Sequence, residues 1–262
     1  MGRTVPAVAR ALDVLELFLD GAGTLSTPEI VTALGLPRTS GHELVSTLVA
    51  RSYLAPAPGA SGRFRLGVRL FQLGNAYAGR LDLAREGRAV AERVAASCDE
   101  TVHLAVLDGA EVIYIAKVDS THAVRMVSAV GHRLPAHCTA VGKMLLSALP
   151  DDALRARYPA DRPLPAMTPN SVTSLARLRQ ALAEIRERGL ALDACESNPD
   201  VACVAAPVLD QTGATVAAMS ISVPTTRWTD QRQFELGHLV SEGAATLSAQ
   251  LGYPGGGMAA KP

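Results

Sequence analysis

Apolar residues near the start of the chain recur at Val5, Val8, Leu12, Leu15 and Leu19, the three-and-four spacing of an amphipathic helix. A second helix of two turns is predicted over "STPEIVTALG": Ser26 or Thr27 caps it, Pro28 fits its first turn, Glu29 supplies an early acid, and Gly35 stops it. After Leu36 and Pro37 a third helix turns Leu44, Val45, Leu48 and Val49 inward and leaves Arg38, Thr39, Ser40, His42 and Glu43 near its exposed first turns. Two short helices joined by a tight glycine turn, the second with a polar leading end, make a helix-turn-helix. "SYLAPAPGASGRFRLG" then reads as an edge strand, a Pro/Gly/Ser turn and a strand alternating Arg63, Phe64, Arg65 and Leu66, the form of a wing. Arg63 and Arg65 fall on one face of that strand, either available to a phosphate backbone or merely solvated.

Beyond residue 80 the pattern changes. A helix over residues 84–98 precedes two alternating apolar runs, 101–108 and 110–118, joined at Asp108-Gly109, a strong hairpin signal. A strand at 123–129, helices at 139–149 and 173–189, strands at 202–210 and 214–224, and a long helix from Thr229 onward follow. Strands, helices, strands and a final helix predict an α+β domain whose antiparallel sheet has helices packed on its faces, with room for a pocket on one face. Alternation puts Ser220 and Ser222 on the same face of the last strand, and two inward hydroxyls need partners, either a ligand or strand backbone. A small carboxylate suits the N–H groups at the start of the 139–149 helix, where the helix dipole favours an anion.

Composition narrows the class. The chain has 262 residues, 48% of them hydrophobic, and zero formal net charge, which fits a soluble globular protein of one or two domains. No apolar run is long enough to span a membrane, and the first twenty residues are interrupted by charges, unlike a signal peptide, so a cytoplasmic location is expected. Cys98, Cys138, Cys195 and Cys203 form no CxxC pair, so neither a disulfide framework nor a zinc ribbon is indicated. The neutral total hides an asymmetry: residues 1–80 carry eight arginines against five acids, and the remainder seventeen bases against twenty acids. The N-terminal part is the basic one, a weak pointer to a polyanion until the charge is shown to cluster.

An enzyme built on His103, His122, His132, His137 and Cys138, or on Cys203 with Asp193, is a different class of reading. None of these has diagnostic spacing, and "HELVS" at His42 lacks the second histidine of a zinc protease motif. No catalytic residue, metal site or cofactor is therefore expected, and a metal-dependent hydrolase stands only as an alternative. A metabolite sensor that works through protein partners without binding DNA is the other.

The motifs together resemble one family. "VARALDVLELF", "GLPRTSGHELVSTL" and "FRLGVRLFQLG" are similar to the winged helix-turn-helix of the IclR family of bacterial transcriptional regulators. "GHRLPAHCTAVGKMLLSAL" resembles its G-x-x-L-P segment and G-K-x-x-L helix, and "RGLALDACESNPDVACVAAPVLDQTGATVAAMSISVP" its acidic segment and last two strands. The likeness covers nearly the whole chain, short of the tail "PGGGMAAKP". It implies a winged helix-turn-helix DNA-binding domain over residues 1–66, a linker helix over 67–81, a GAF-like effector-binding domain over 82–252 and a flexible tail over 253–262. The implied partners are double-stranded DNA and a small-molecule effector, with a carboxylate favoured, and the implied assembly is a homodimer or a dimer of dimers, with no membrane. Arg38, Thr39, Ser40, His42, Glu43, Arg63 and Arg65 would then meet DNA. Asp193, Cys203, Ser220 and Ser222 match polar effector-site positions, walled by Met126, Leu134, Ala140 and Val141. Glu43 departs from the pattern, since family members commonly carry arginine there. Its carboxylate has three uses open to it: closing a capping box with Ser40, accepting from a cytosine amino group, or orienting a neighbouring arginine.

Overall fold

Ser26 fixes the start of the second helix, because its side chain accepts the Glu29 N–H while its own N–H donates to the Glu29 carboxylate, a closed capping box. Around that box the first unit is assembled. The computed structural model describes residues 5–19, 23–78, 82–124, 128–159 and 162–256, the side chains of 74–78 excepted. The chain divides into two units, Met1–Leu81 and Asp82–Pro262.

In the first unit α1 (Pro6–Glu16), α2 (Thr27–Leu34) and α3 (Arg38–Ala50) precede a small sheet of β1 (Leu25–Ser26), β2 (Leu54–Pro56) and β3 (Arg63–Leu66), in the order β1-β3-β2, and α4 (Val68–Ala78) leads away. Gly35 takes φ +60°, the left-handed conformation that ends α2 at little steric cost. Gly41 serves a different purpose: a Cβ there would lie 2.2 Å from Val31 Cγ2, so a larger residue would force Val31 or the helix to shift. The core consists of Val14, Phe18, Ile30, Val45, Leu48 and Leu54. Of the apolar stripe predicted for α1 only Leu15 packs against it; Val5, Val8 and Leu12 are 60%, 58% and 52% exposed, while Val14 and Phe18 are buried. The two-residue β1 escapes a reading by periodicity because it is too short to alternate.

The second unit runs α5 (Leu83–Cys98), β4 (Thr101–Asp108), β5 (Glu111–Val118), β6 (Arg133–Pro135), α6 (Ala140–Ser147), α7 (Asp151–Arg157), α8 (Leu175–Arg188), β7 (Ala191–Ala194), β8 (Val201–Leu209), β9 (Thr215–Pro224) and α9 (Asp230–Gln250). Its six strands form one antiparallel sheet in the order β6-β5-β4-β9-β8-β7. α5 and α9 pack together and against the sheet, while α6, backed by α8, packs on it with the core that includes Tyr114, Met144, Leu178, Leu182 and Ala205. Gly109, at φ +63°, makes the predicted β4–β5 hairpin turn. The strand expected at 123–129 is not found as predicted: residues 125–127 lie outside the described residues, and 123–124 and 128–129 are not strand. The short edge strands are instead β6 and β7, whose three and four residues give too little alternation to read.

Candidate functional site

Two surfaces hold the residues singled out by sequence. On the first unit, α3 starts at Arg38 behind an N-cap, Pro37, that makes no side-chain bond. Ser40 is therefore already the third helical residue, and the capping box proposed for Ser40 and Glu43 does not form. Arg38, Thr39, His42 and Glu43 are exposed and Ser40 is half-buried, all off the Gly41–Val45–Leu48 stripe that faces the core. Among the described residues the Glu43 carboxylate has no hydrogen-bond or ion-pair partner, and the Glu43 carbonyl accepts from Thr47 Oγ1 at 2.8 Å. The third use, orienting an arginine, is absent as well.

The two wing arginines part company. Arg63 Nε donates to Thr24 Oγ1 at 3.0 Å, Nη2 to the Thr24 carbonyl at 2.8 Å and Nη1 to Glu29 Oε1 at 3.1 Å. This guanidinium, which sequence placed on an outward face of the strand, clamps the wing to the capping box of α2. Hydrogen bonds from Ser26, and after them Arg63, hold the Glu29 carboxyl below its ordinary range. Arg65 is exposed and makes none of these contacts.

On the second unit, sheet register lines up the effector-site candidates. Asp193 of β7 stands opposite Cys203 of β8, Cys203 opposite Ser222 of β9, and Ser222 opposite Thr101 of β4. One step along, Ala205, Ser220, His103 and Lys117 form a second row on the same face. That face meets α6, and Leu134, Ala140, Val141, Tyr114 and Cys203 share one apolar cluster there. Asp193, Cys203, Ser220, Ser222, Leu134, Ala140 and Val141 are thus buried on one side of the sheet. Met126 lies outside the described residues. Thr139 caps α6 by accepting the Gly142 N–H at 3.1 Å, leaving the N–H groups of Ala140 and Val141 without an intrahelical acceptor.

The polar groups differ in what they leave available. Asp193 Oδ1 accepts the Glu196 N–H at 2.6 Å and Oδ2 accepts the Ser197 hydroxyl at 2.5 Å, so this carboxylate organises the loop after β7. Burial pushes its pKa up to about 6. Cys203 donates its thiol to Ser222 Oγ at 3.1 Å, and burial raises that thiol far above the range of a nucleophilic cysteine. Ser220 Oγ and the Tyr114 hydroxyl belong to buried residues and have no hydrogen-bond partner among the described residues. Burial, and behind it Cys203, Asp193 and Cys138, raise the Tyr114 phenol, so it is a neutral donor.

Tyr114 is the residue that sequence reading passes over, and His103 enters it only among scattered histidines. The imidazole stacks on the Tyr114 ring at 4.5 Å between centroids, its Nδ1 is 3.3 Å from Ser222 Oγ, and its Nε2 is 2.7 Å from Ser128 Oγ. The signal for both was the β4–β5 hairpin register combined with the serines of β9, since alternation alone does not say which strands are neighbours. No group of three or more metal-ligating side chains occurs among the described residues, and no described helix is long and apolar enough to cross a membrane.

A helix-turn-helix with a wing, followed by a sheet domain holding a buried polar cluster under a helix, defines a ligand-responsive DNA-binding regulator. Comparison with known proteins fixes the class. An IclR helix-turn-helix profile matches residues 7–58 and the profile of the bacterial transcriptional regulator IclR C-terminal domain matches 75–249, so the chain belongs to the IclR family of transcriptional regulators. It is 34% identical over 250 residues to the HTH-type transcriptional regulator XynR of Escherichia coli strain K12, covering 95% of this chain and 98% of that protein. Among solved structures, the Agobacterium tumefaciens repressor BlcR superposes with a TM-score of 0.85 at 31% identity, covering 96% of this chain and 99% of that one. An IclR homologue from Microbacterium hydrocarbonoxydans, complexed with 4-hydroxybenzoate, superposes at a TM-score of 0.58 with 28% identity over 94% of this chain and 98% of its own.

Proposed function

We propose that this regulator senses a small organic carboxylate on the α6 face of its sheet and changes its affinity for a partly palindromic operator in response. The observation that carries the reading is the pair of hydroxyls on the buried residues Ser220 and Tyr114, which have no hydrogen-bond partner among the described residues and lie by the apolar cluster at the start of α6. Donors without acceptors inside an apolar shell favour an anion, and the first N–H groups of α6 add to that preference. Ser222 and Cys203 complete the polar wall, Leu134, Ala140 and Val141 the apolar one, and Met126 is assigned to the wall by resemblance alone. Asp193 frames the site through its loop and is not a ligand for the carboxylate. A relative bound to 4-hydroxybenzoate supports this ligand class.

Arg38, Thr39, Ser40, His42, Glu43 and Arg65 are the proposed DNA contacts, with Arg63 in a supporting place. Two copies would join through the exposed α1 stripe, and pairing of such dimers would follow the same symmetry. The protein would act in the cytoplasm, on DNA, with no catalytic step. A thermal-shift screen of small keto acids, hydroxy acids, sugar acids and aromatic acids, 4-hydroxybenzoate included, tests the sensor. At least one should raise Tm, because a ligand that binds only the native state at a hundredfold its Kd adds about 2.7 kcal/mol. Ser220→Ala with Ser222→Ala should abolish that shift, from a ligand-free Tm lowered by the loss of Ser222 Oγ as the buried partner of Cys203 and His103. A shift that survives in the double variant, or none from any carboxylate, contradicts the reading.

A further inference from the structure

His103 has no place in the effector reading, yet it is fully buried and sits at the junction of its polar groups. Its neighbours are countable. Ser222 Oγ accepts the Cys203 thiol, and the described acceptor nearest in chemistry for its own proton is His103 Nδ1, at 3.3 Å. With Ser222 donating to Nδ1, the ring's proton lies on Nε2, 2.7 Å from Ser128 Oγ, which then accepts it. Burial, and after it the charge of Lys117, keeps the ring neutral, with a pKa near 3. Stacking on Tyr114 fixes the ring plane, and Lys117, paired with Asp119, donates to the Ser128 carbonyl at 2.7 Å, so both ends of the chain of bonds are held.

We propose that His103 is a positioning residue for the effector: in the empty site it holds the Ser222 hydroxyl proton, and it releases that proton to a bound anion by changing tautomer. The proposal rests on the carboxylate reading above. When an anion accepts from Ser222, Oγ needs a donor in place of the acceptor it had, which the ring supplies as Nδ1–H. The ring keeps one proton throughout: Nε2 loses one and Nδ1 gains one by exchange with water. Nε2 becomes an acceptor, so Ser128 must turn its hydroxyl toward the ring. Occupancy at Ser222 is thereby passed across β4 to Ser128 with no change of net charge.

Ring-nitrogen NMR of histidine-labelled protein, with His103 assigned through His103→Asn, tests this directly. The ligand-free wild type should show His103 as the neutral Nε2–H form between about pH 5 and 8, and Ser222→Ala should remove that preference. An Nδ1–H form, an imidazolium, or a spectrum unmoved by Ser222→Ala overturns the assignment whether or not any ligand is known. With whichever carboxylate raises Tm, the ring should convert to Nδ1–H, and binding without conversion also overturns it. If no carboxylate raises Tm, the effector reading fails while the ligand-free spectra still decide the role of His103. Side-chain variants give a second arm. His103→Asn, whose amide replaces Nδ1, should retain most of the ligand-induced melting shift, and His103→Gln, whose amide reaches the Nε2 position, should lose it. Equal loss in both leaves only a packing role and contradicts the proposal.

Discussion

Glu43 stands exposed on α3, outside the Gly41–Val45–Leu48 stripe and with no side-chain partner among the described residues, so replacing it does not remove a cap. Glu43→Arg should therefore leave Tm unchanged, strengthen binding to random duplex, and raise the slope of log affinity against log salt by about one unit. A lower Tm with no change in random-DNA affinity would reinstate a structural role. The exposure of Glu43 is legible from the phase of Val45 and Leu48, but the fate of Arg63 is not, because its partners Thr24 and Glu29 lie 39 and 34 residues away in sequence. Two buried residues titrate in opposite senses. Asp193, raised from 3.8 to about 6, contributes stability that is full below 3.8 and lost as pH rises through 6. His103, lowered from 6.5 to about 3, contributes stability that is full above 6.5 and lost as pH falls toward 3. Between these limits the two oppose each other, each by up to about 1.4 kcal/mol per pH unit. Relative to wild type, Asp193→Asn should be comparatively weaker toward pH 4 and His103→Asn comparatively stronger. Urea unfolding at several pH values checks both, and curves parallel to wild type would contradict the burial of either charge.

Among the elements, α1 shows what periodicity does and does not tell. The spacing of Val5, Val8 and Leu12 correctly marks a helix with an apolar face, but the contacts inside the unit are made by Val14 and Leu15 and, just past the helix, by Phe18. A pattern reveals that a surface wants covering and leaves open what covers it. Under the assembly proposed above, a second copy of the chain covers the outer stripe. Val8→Glu with Leu12→Glu should hold the unit's stability to within about 0.5 kcal/mol, as exposed positions do, and shift sedimentation from dimer to monomer. An unaltered dimer would move the interface elsewhere. The sheet was legible where strands are long enough to alternate, as in β4, β5, β8 and β9, and illegible in β6 and β7, which exist because neighbours pair with them. The stacking of His103 on Tyr114 beside Ser222 was hidden for the same reason: strand order is a tertiary fact, and here β4 lies beside β9.

For the whole molecule, regulation requires only that an effector bind one arrangement of the assembly better than another, since its shift of operator affinity equals its differential affinity for the two. Coupling of this kind is typically 1–3 kcal/mol, roughly a 5- to 150-fold change in affinity. The family, the two-domain plan and the polar residues of β9 are readable from ordered motifs, because each motif is local in sequence. The link between effector and DNA is not, because no local motif encodes it. The most direct test is the affinity of this protein for DNA from upstream of its own gene, measured at fixed salt with and without the carboxylate that raises its Tm. Wild type should show at least a several-fold change that vanishes in Ser220→Ala with Ser222→Ala. Equal affinity with and without the ligand, or an undiminished response in the double variant, would contradict it.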